Sequence, residues 1–255
     1  MYRYLCVLIL ALTLSLMASG PAFAAAFVNG GFEDGNTNSW SVGTASRNGN
    51  LSTLNPSTYL NGATGRSAVV TSGLDPIIGA SMANTVYSGN YAYRVENTID
   101  GGHLSVVSQT VTNYTDSNIF FAWMSVLEGA HSAEQAAGMK IQLTDLTTGI
   151  DIISRIYSAE FSAVDARFSQ AGDYYYTPVW QIEQLAIDSS LQGHDFRLTV
   201  LATDCDPTAH LGYVYLDGFG AQIPDVDNGV PEPATLALLG LGVLGMGVAR
   251  RRKAA

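Results

Sequence analysis

The stretch Ile-Phe-Phe-Ala-Trp-Met-Ser occupies residues 119–125 and places Ile119, Phe121 and Trp123 at every second position. Successive side chains of a β-strand point to opposite faces, so this spacing predicts a strand with one face in a core. Similar alternation, or a run of β-branched residues, recurs along the second half of the chain. These stretches are 104–111, 139–143, 150–156, 196–200 and 211–215.

Turn-forming residues dominate the part of the chain that precedes these strands. Residues 25–90 are rich in Gly, Asn, Ser and Thr, which predicts long loops with short strands. Only residues 132–137 have a sequence suited to a helical turn or two. Many strands, Gly-rich turns and little helix together predict an all-β fold, an antiparallel two-sheet β-sandwich.

The N-terminus has the layout of a secretory signal. Arg3 precedes an apolar stretch over residues 5–17, and Ala22-Phe23-Ala24 precedes Ala25. A positive start, an apolar centre and a small-residue site are typical of a cleavable signal peptide. We therefore expect residues 1–24 to form a signal helix that is removed on export; a permanent N-terminal helix is the alternative.

The C-terminus combines a rigid breaker, an apolar run and a basic end. Val230-Pro231-Glu232-Pro233 is followed by apolar residues 234–249 and then by Arg250-Arg251-Arg252-Lys253. As a helix the run would reach roughly 24 Å, so it predicts a single transmembrane helix with local thinning of the ~30 Å hydrocarbon core. Basic residues stay on the cytoplasmic side, which makes residues 250–255 a cytoplasmic tail.

This ending resembles the PEP-CTERM sorting signal of exported bacterial proteins. The residues that carry the resemblance are Pro231, Glu232, Pro233, Arg250, Arg251 and Arg252, together with the apolar run between them. The resemblance implies that the chain is held transiently in the inner membrane, is processed by an exosortase, and reaches the cell surface or the extracellular matrix. An ordinary C-terminal anchor is the alternative. We expect a β-sandwich domain over residues 25–223 and a linker over 224–233.

The part between the two apolar ends is strongly acidic. Residues 25–230 contain seven basic and 21 acidic residues, a formal net charge of −14, against −10 for the whole chain. Such a surface repels nucleic acid and anionic lipid. It suits a cation-rich extracellular matrix and calcium, although acidity also simply keeps a secreted protein soluble.

Cysteine is almost absent from the exported part. Cys6 leaves with the signal peptide, so Cys205 is the last cysteine and no intrachain disulfide forms. Stability must then come from burial of a core, with a metal as a further source. We expect Cys205 to be a buried thiol; a reactive or intermolecular role is the alternative.

The two ends of the predicted body carry a second resemblance. Phe27-Val28-Asn29-Gly30-Gly31-Phe32-Glu33-Asp34-Gly35 and Tyr213-Val214-Tyr215-Leu216-Asp217-Gly218-Phe219 resemble the first and last strands of galactose-binding-like jelly rolls, which include many carbohydrate-binding modules. The resemblance implies a jelly roll whose end strands pair, with a structural Ca²⁺ bound by Glu33 and Asp217. Carboxylates suit calcium, which takes six to eight oxygen ligands. Hydrogen-bonded turn residues without an ion are the alternative.

Aromatic residues in loops suggest contacts with sugar rings. A flat ring offers apolar area to a sugar face, while loop polar groups bind the hydroxyls. Tyr174, Tyr175 and Trp180 are the candidates for glycan binding. Strand packing constrains Tyr174 and Tyr175 least, since they lie in a stretch flanked by Gly and Asp. Packing into the rim of a sheet is the competing interpretation.

One constellation could bind a metal or transfer protons: Asp204-Cys205-Asp206 with His210 and, from another segment, His131. Histidine, cysteine and carboxylate are zinc ligands, but no fixed spacing joins the two histidines. A structural role is the other interpretation, with His210 bonded to a loop carbonyl and Asp204 capping a turn.

No catalytic residue is predicted. The sequence has no Gly-x-Ser-x-Gly elbow, P-loop or dinucleotide fingerprint. The features together predict an exported, non-catalytic protein of the cell surface or matrix that binds or structures extracellular polysaccharide, as in a biofilm. The alternatives are an extracellular glycoside hydrolase, which would need two acids across a cleft, and an adhesin for another surface protein.

Overall fold

The computed structural model describes residues 27–129, 131–207 and 209–222. Within them the chain forms twelve strands and three short helices. The strands are β1 (Ser41–Ser46), β2 (Ala68–Thr71), β3 (Tyr91–Val95), β4 (His103–Tyr114), β5 (Asn118–Glu128), β6 (Gly138–Asp145), β7 (Ile150–Ser158), β8 (Ser169–Ala171), β9 (Tyr174–Tyr176), β10 (Gln181–Ala186), β11 (His194–Thr203) and β12 (Gly212–Gly220). The helices are α1 (Ala159–Ser162) and two 3₁₀ turns, Pro56–Tyr59 and Ser189–Leu191.

The strands form two antiparallel sheets. The five-stranded sheet has the order β1-β4-β11-β6-β7. The seven-stranded sheet has the order β2-β3-β12-β5-β9-β8, with β10 also paired to β5. The chain passes repeatedly from one sheet to the other, for example at β3 to β4, β4 to β5 and β11 to β12. The predicted all-β, two-sheet antiparallel sandwich is confirmed.

The core lies between the two sheets, where alternate residues of each strand meet. Trp123 from β5 and Val214 from β12 face Ile141 and Val200 from the five-stranded sheet, and all four are at most 1% exposed. Burial of each such side chain contributes roughly 1.5–3 kcal/mol. This is the pattern expected from the period-two spacing, because one face of every strand packs inward.

An outer layer covers part of each sheet. Leu51 and Leu54 pack on the outer face of the five-stranded sheet, and Lys140 donates hydrogen bonds to the carbonyls of Ser52 (2.8 Å) and Leu54 (2.7 Å). Met82 and its neighbours cover the outer face of the seven-stranded sheet in the same way. Much of the Gly- and Asn-rich first third therefore forms loops that pack on the sandwich, while β1 and β2 belong to its sheets and Trp40 belongs to its core.

Two local expectations need correction. Residues 27–35 form turns rather than a first strand, with positive φ at Asn29 and Phe32, although the Gly30 carbonyl accepts a hydrogen bond from Phe219 N at 3.0 Å. The short α-helix lies at Ala159–Ser162, where Ser158 caps it, and not at 132–137, which form a turn.

The apolar ends predicted from the sequence, residues 1–24 and 234–249, lie outside the described residues, as do the linker and the basic tail. Among the described residues, no helix combines the length and apolar character that a membrane crossing requires.

Candidate functional site

The predicted calcium pair anchors one loop from two sides. Asp217 lies on β12 at a position that faces away from the core, and its Oδ2 accepts hydrogen bonds from Tyr87 N (3.0 Å) and Ser88 N (3.1 Å). The Glu33 carboxylate accepts hydrogen bonds from Asn90 N at 3.0 Å. The two predicted ligands therefore hold successive parts of the segment that leads into β3.

Asp217 carries the feature that fits a cation. Its side chain is fully buried, and burial raises the pKa of the carboxyl to about 7, with a smaller contribution from the nearby charge of Glu33. Its Oδ1 is buried and makes no hydrogen bond among the described residues. A buried carboxylate oxygen without a partner is rare, and beside a second carboxylate it is the ligand type that calcium prefers. The residues present thus fit the ion, and the calcium site stays a prediction.

A loop that comprises residues 72–87 crosses the outer face of the seven-stranded sheet. Asp75 fastens it, since its carboxylate accepts hydrogen bonds from the hydroxyls of Tyr213 (2.8 Å) and Tyr215 (3.0 Å) on β12. Asp75 Oδ1 also accepts a hydrogen bond from Ile78 N at 2.7 Å. All three side-chain groups are buried, so this loop has a defined position on the sheet.

A cleft of about 420 Å³ opens between this loop and the strands β2 and β3. This volume lies within the ~300–1,000 Å³ that ligand pockets commonly have. Its lining combines hydroxyl groups, one cation, one aromatic ring and apolar carbon, with Thr71, Ser72, Thr85, Arg94, Tyr215 and Val70 as its main contributors. The hydroxyls of Thr85 and Tyr215 donate their protons to the Thr71 carbonyl and to Asp75, so toward a polyhydroxylated ligand they can act as acceptors, with the guanidinium as donor.

Arg94 is the only cation that lines this cleft in the described part of the chain. Its side chain is half-buried, and its Nε donates a hydrogen bond to the Glu96 carbonyl at 3.1 Å. This bond and a hydrogen bond with the Tyr215 side chain orient the guanidinium, whose charge lines the cleft. With seven basic residues in 25–230, an arginine in a cleft is a distinctive feature.

The predicted glycan-binding aromatics do not form one surface. Trp180 lies behind the same loop, where its Nε1 donates a hydrogen bond to the Asn84 carbonyl at 2.9 Å and its ring meets Tyr87 edge to face at 5.7 Å. Tyr174 packs against the same outer cluster. Tyr175, the next residue on β9, points to the opposite side and packs in another cluster. Whether any of them contacts a glycan stays a prediction.

The two buried acids Asp204 and Glu96 form an ion-pair cluster with Arg66. Arg66 Nη2 lies 3.1 Å from Asp204 Oδ2, and its Nε bonds to the Glu96 carboxylate. Burial, and then the charge of Glu96, raises the pKa of Asp204 to about 7. A raised pKa is what a general acid needs, but both acids are 0% exposed, so a substrate does not reach them. Asp204 is thus part of a buried ion pair, and its carboxylate also accepts hydrogen bonds from the backbone nitrogens of His103 (3.2 Å) and Gly212 (3.3 Å), which agrees with a structural role.

The structure brings His131, Cys205 and His210 together, although sequence spacing could not join them. The expected burial of Cys205 is confirmed, since it is 0% exposed. The backbone carbonyl of His210 accepts a hydrogen bond from Cys205 N at 3.0 Å within this loop.

Sequence reasoning missed the cleft residues. Thr85 and Arg94 lie nine positions apart, and Tyr215 is distant from both in the chain. The available signal was the scarcity of cations, which makes Arg94 conspicuous, and its position in the alternating stretch Tyr91–Val95.

Residues 229–253 match the family model of the PEP-CTERM protein-sorting motif. The chain carries a PEP-CTERM sorting motif. The match confirms the interpretation of the C-terminal sequence and indicates an exported protein that is anchored by its C-terminus before processing. No curated protein matches the sequence.

Several solved structures resemble this chain at low identity. TmCBM61, in complex with β-1,4-galactotriose, is 14% identical with a TM-score of 0.40, over 76% of this chain and 95% of that chain. CBM27-1 of Caldicellulosiruptor saccharolyticus, in complex with mannohexaose, is 12% identical with a TM-score of 0.41, over 77% and 96% of the two chains. The CBM22-1 xylan-binding domain from Paenibacillus barcinonensis Xyn10C is 15% identical with a TM-score of 0.32, over 79% and 96%.

Proposed function

We propose that this PEP-CTERM protein is a non-catalytic polysaccharide-binding protein of the cell surface or extracellular matrix, with a role in a biofilm. An exosortase processes it after transient anchoring in the inner membrane. The observation that carries the binding proposal is the cleft of about 420 Å³ with Arg94 among hydroxyl groups. The sorting motif at residues 229–253 supports export, which would bring the protein to extracellular polysaccharide.

The position of the cleft suits a chain ligand rather than a small metabolite. It lies at the outer face of the seven-stranded sheet, between a loop and the edge strand β2. Leu74, which lines it, is 67% exposed and offers apolar surface at its rim. A polymer can pass through an open cleft of this kind while one residue of the polymer occupies the polar floor.

The chemistry of the lining favours an acidic sugar. A guanidinium forms paired hydrogen bonds with a carboxylate, and charge-assisted bonds are roughly twice as strong as neutral ones. The rest of the surface is acidic and repels an anionic polymer, so a single arginine in a cleft gives a localised attachment point.

We further propose a structural Ca²⁺ at Glu33 and Asp217. The ion supplies positive charge that balances both carboxylates. Asp217 and Glu33 hold backbone nitrogens at residues 87–90, where the loop that contributes Thr85 to the cleft ends. The same two side chains that bind the ion therefore position one wall of the binding cleft.

Isothermal titration or affinity electrophoresis of the purified protein, with the polysaccharide of its own host, tests the binding proposal. Arg94→Gln removes the charge and keeps the side-chain length, so binding should fall by about 10- to 100-fold, as for loss of a ~1.5–3 kcal/mol charged hydrogen bond. Arg197→Gln is the matched control, because Arg197 is a half-buried arginine on β11 of the other sheet. It should bind like the wild type.

Three results would contradict the proposal. Binding lost in Arg197→Gln and kept in Arg94→Gln would move the site to the five-stranded sheet. Release of new reducing ends during incubation would show a glycoside hydrolase. Absence of binding to any acidic or neutral polysaccharide, with retention of a protein from the host surface, would favour the adhesin.

A further inference from the structure

Two histidines and a cysteine meet where β5 and β11 end. His131 follows β5, whereas Cys205 and His210 lie in the connection from β11 to β12. One ligand atom of each, the Cys205 Sγ and a ring nitrogen of each histidine, lie within 4.8 Å of one another. The Sγ is 3.4 Å from His210 Nδ1, and the two imidazole rings meet edge to face with centroids 4.9 Å apart.

A buried arginine ties the two ligand-bearing segments together. Arg47 Nη1 donates hydrogen bonds to the carbonyls of Ala136 (2.8 Å) and Asp204 (2.6 Å), one in each segment. Its Nη2 donates to the Glu134 carbonyl at 2.6 Å. Arg47 is 5% exposed and donates to carbonyls of both segments. These buried hydrogen bonds hold the two segments side by side in the folded protein.

The donor set selects a class of ion. Thiolate and imidazole bind Zn²⁺ and related transition ions, whereas calcium and magnesium require oxygen. Cys205 is buried while His131 is exposed, so the three donors form a half-open site with one side toward solvent. Three protein ligands with an open fourth position are the arrangement in which zinc keeps a water or an external ligand.

We propose that His131, Cys205 and His210 form a binding site for a transition-metal ion of the Zn²⁺ class. Coordination takes the thiolate form of Cys205, so binding releases the thiol proton to solvent. Cys205 and His210 lie in one short loop, and a bound ion would clip that loop to the segment after β5. The site shares no residue with the calcium pair or the cleft. A test of this site is therefore independent of a test of the proposed function.

Metal titration of the purified full chain tests the site, with Co²⁺ as a spectroscopic probe and Zn²⁺ as competitor. We expect one Co²⁺ per chain with a thiolate-to-cobalt charge-transfer band, displaced by Zn²⁺ and unaffected by excess Ca²⁺. His131→Gly removes one imidazole and suits the positive φ of that residue (77°), so the fold should be kept. Loss of a second-shell partner costs ~10–100-fold in affinity, and loss of a ligand should cost at least as much.

Ala209→Gly is the matched control, since Ala209 also has a positive φ (79°), lies in the loop that carries Cys205 and His210, and contributes no ligand atom. It should bind Co²⁺ like the wild type. Cys205→Ser should abolish the charge-transfer band. The proposal would be overturned if the wild type shows no such band at stoichiometric Co²⁺, or if His131→Gly binds the ion as tightly as Ala209→Gly.

Discussion

The substitution Asp217→Asn gives the sharpest test of the proposed calcium site. The wild-type carboxyl is buried with a pKa of about 7, against ~3.9 in an unfolded chain. The folded state therefore holds this proton more tightly than the unfolded state. Without calcium, the contribution of Asp217 to stability is complete below about pH 4 and is lost as the pH rises to about 7.

The magnitude follows from the same pKa values. At 1.36 kcal/mol per pKa unit, the charged carboxylate lowers the free energy of unfolding by up to ~4 kcal/mol above pH 7. A bound Ca²⁺ offsets this charge, and at a concentration of 100 times its Kd it adds ~2.7 kcal/mol. For a domain of this size that is a rise in Tm of roughly 5–11 °C. Because the ion competes with a proton, the rise should be large at pH 8 and small at pH 5.

Differential scanning fluorimetry at pH 5 and pH 8, with calcium or with chelator, measures these effects. Asp217→Asn keeps a carbonyl oxygen for the Tyr87 and Ser88 amides but carries no charge. In chelator at pH 8 we expect it to be at least as stable as the wild type, and calcium should leave its Tm unchanged. Asp204→Asn is the matched control, since Asp204 is buried with the same pKa of about 7 and should keep the calcium response.

Either of two results would contradict a calcium site at Asp217. Calcium could raise the Tm of Asp217→Asn as much as that of the wild type, which would place the ion elsewhere. Alternatively, calcium could raise the wild-type Tm equally at pH 5 and pH 8, which would contradict the competition with a proton.

Two further substitutions, with Gly65→Ala as a control for the second, test the packing of the outer loops. Tyr213→Phe removes a hydroxyl that donates to buried Asp75, so urea denaturation should show a loss of ~1–3 kcal/mol; an unchanged midpoint would contradict the role of this contact. Gly43→Ala would place a Cβ 1.8 Å from the Tyr59 carbonyl oxygen, and the required backbone shift should destabilise the protein by ~1–3 kcal/mol or more. Gly65→Ala, where a Cβ meets nothing within 4 Å, should stay within ~0.5 kcal/mol of the wild type, and equal losses in the two variants would refute the steric argument.

One part of the candidate site, the pair Glu33 and Asp217, could be predicted from the sequence because a known motif implies which residues lie close together. Glu33 and Asp217 could be proposed from the end motifs, and both were found to hold the segment before β3. The motif did not reveal that the Oδ1 of Asp217 is buried without a partner, because burial depends on which loop covers the strand. The cleft around Arg94 was not predictable for the same reason.

The aromatic residues show where local pattern stops being informative. Tyr174 and Tyr175 are adjacent and have the same sequence neighbours, yet they pack on opposite sides of β9. Alternation along a strand guarantees opposite faces but does not say which face is buried by a neighbouring loop. The Trp180 ring nitrogen likewise donates a hydrogen bond to the Asn84 carbonyl and so helps to hold the loop of residues 72–87.

The sequence by itself determined the strand composition, the sandwich class and the sorting motif, because each depends on residues that are close in the chain. Period-two spacing sets which residues share one face of a strand. The sorting motif, an apolar run followed by basic residues, can be identified from the sequence without knowledge of the fold. Only the tertiary structure decided which distant side chains share a site, such as Thr85 with Tyr215, and His131 with Cys205. The physical reason is that sheet order and loop packing bring together residues whose separation along the chain carries no information about their distance in space.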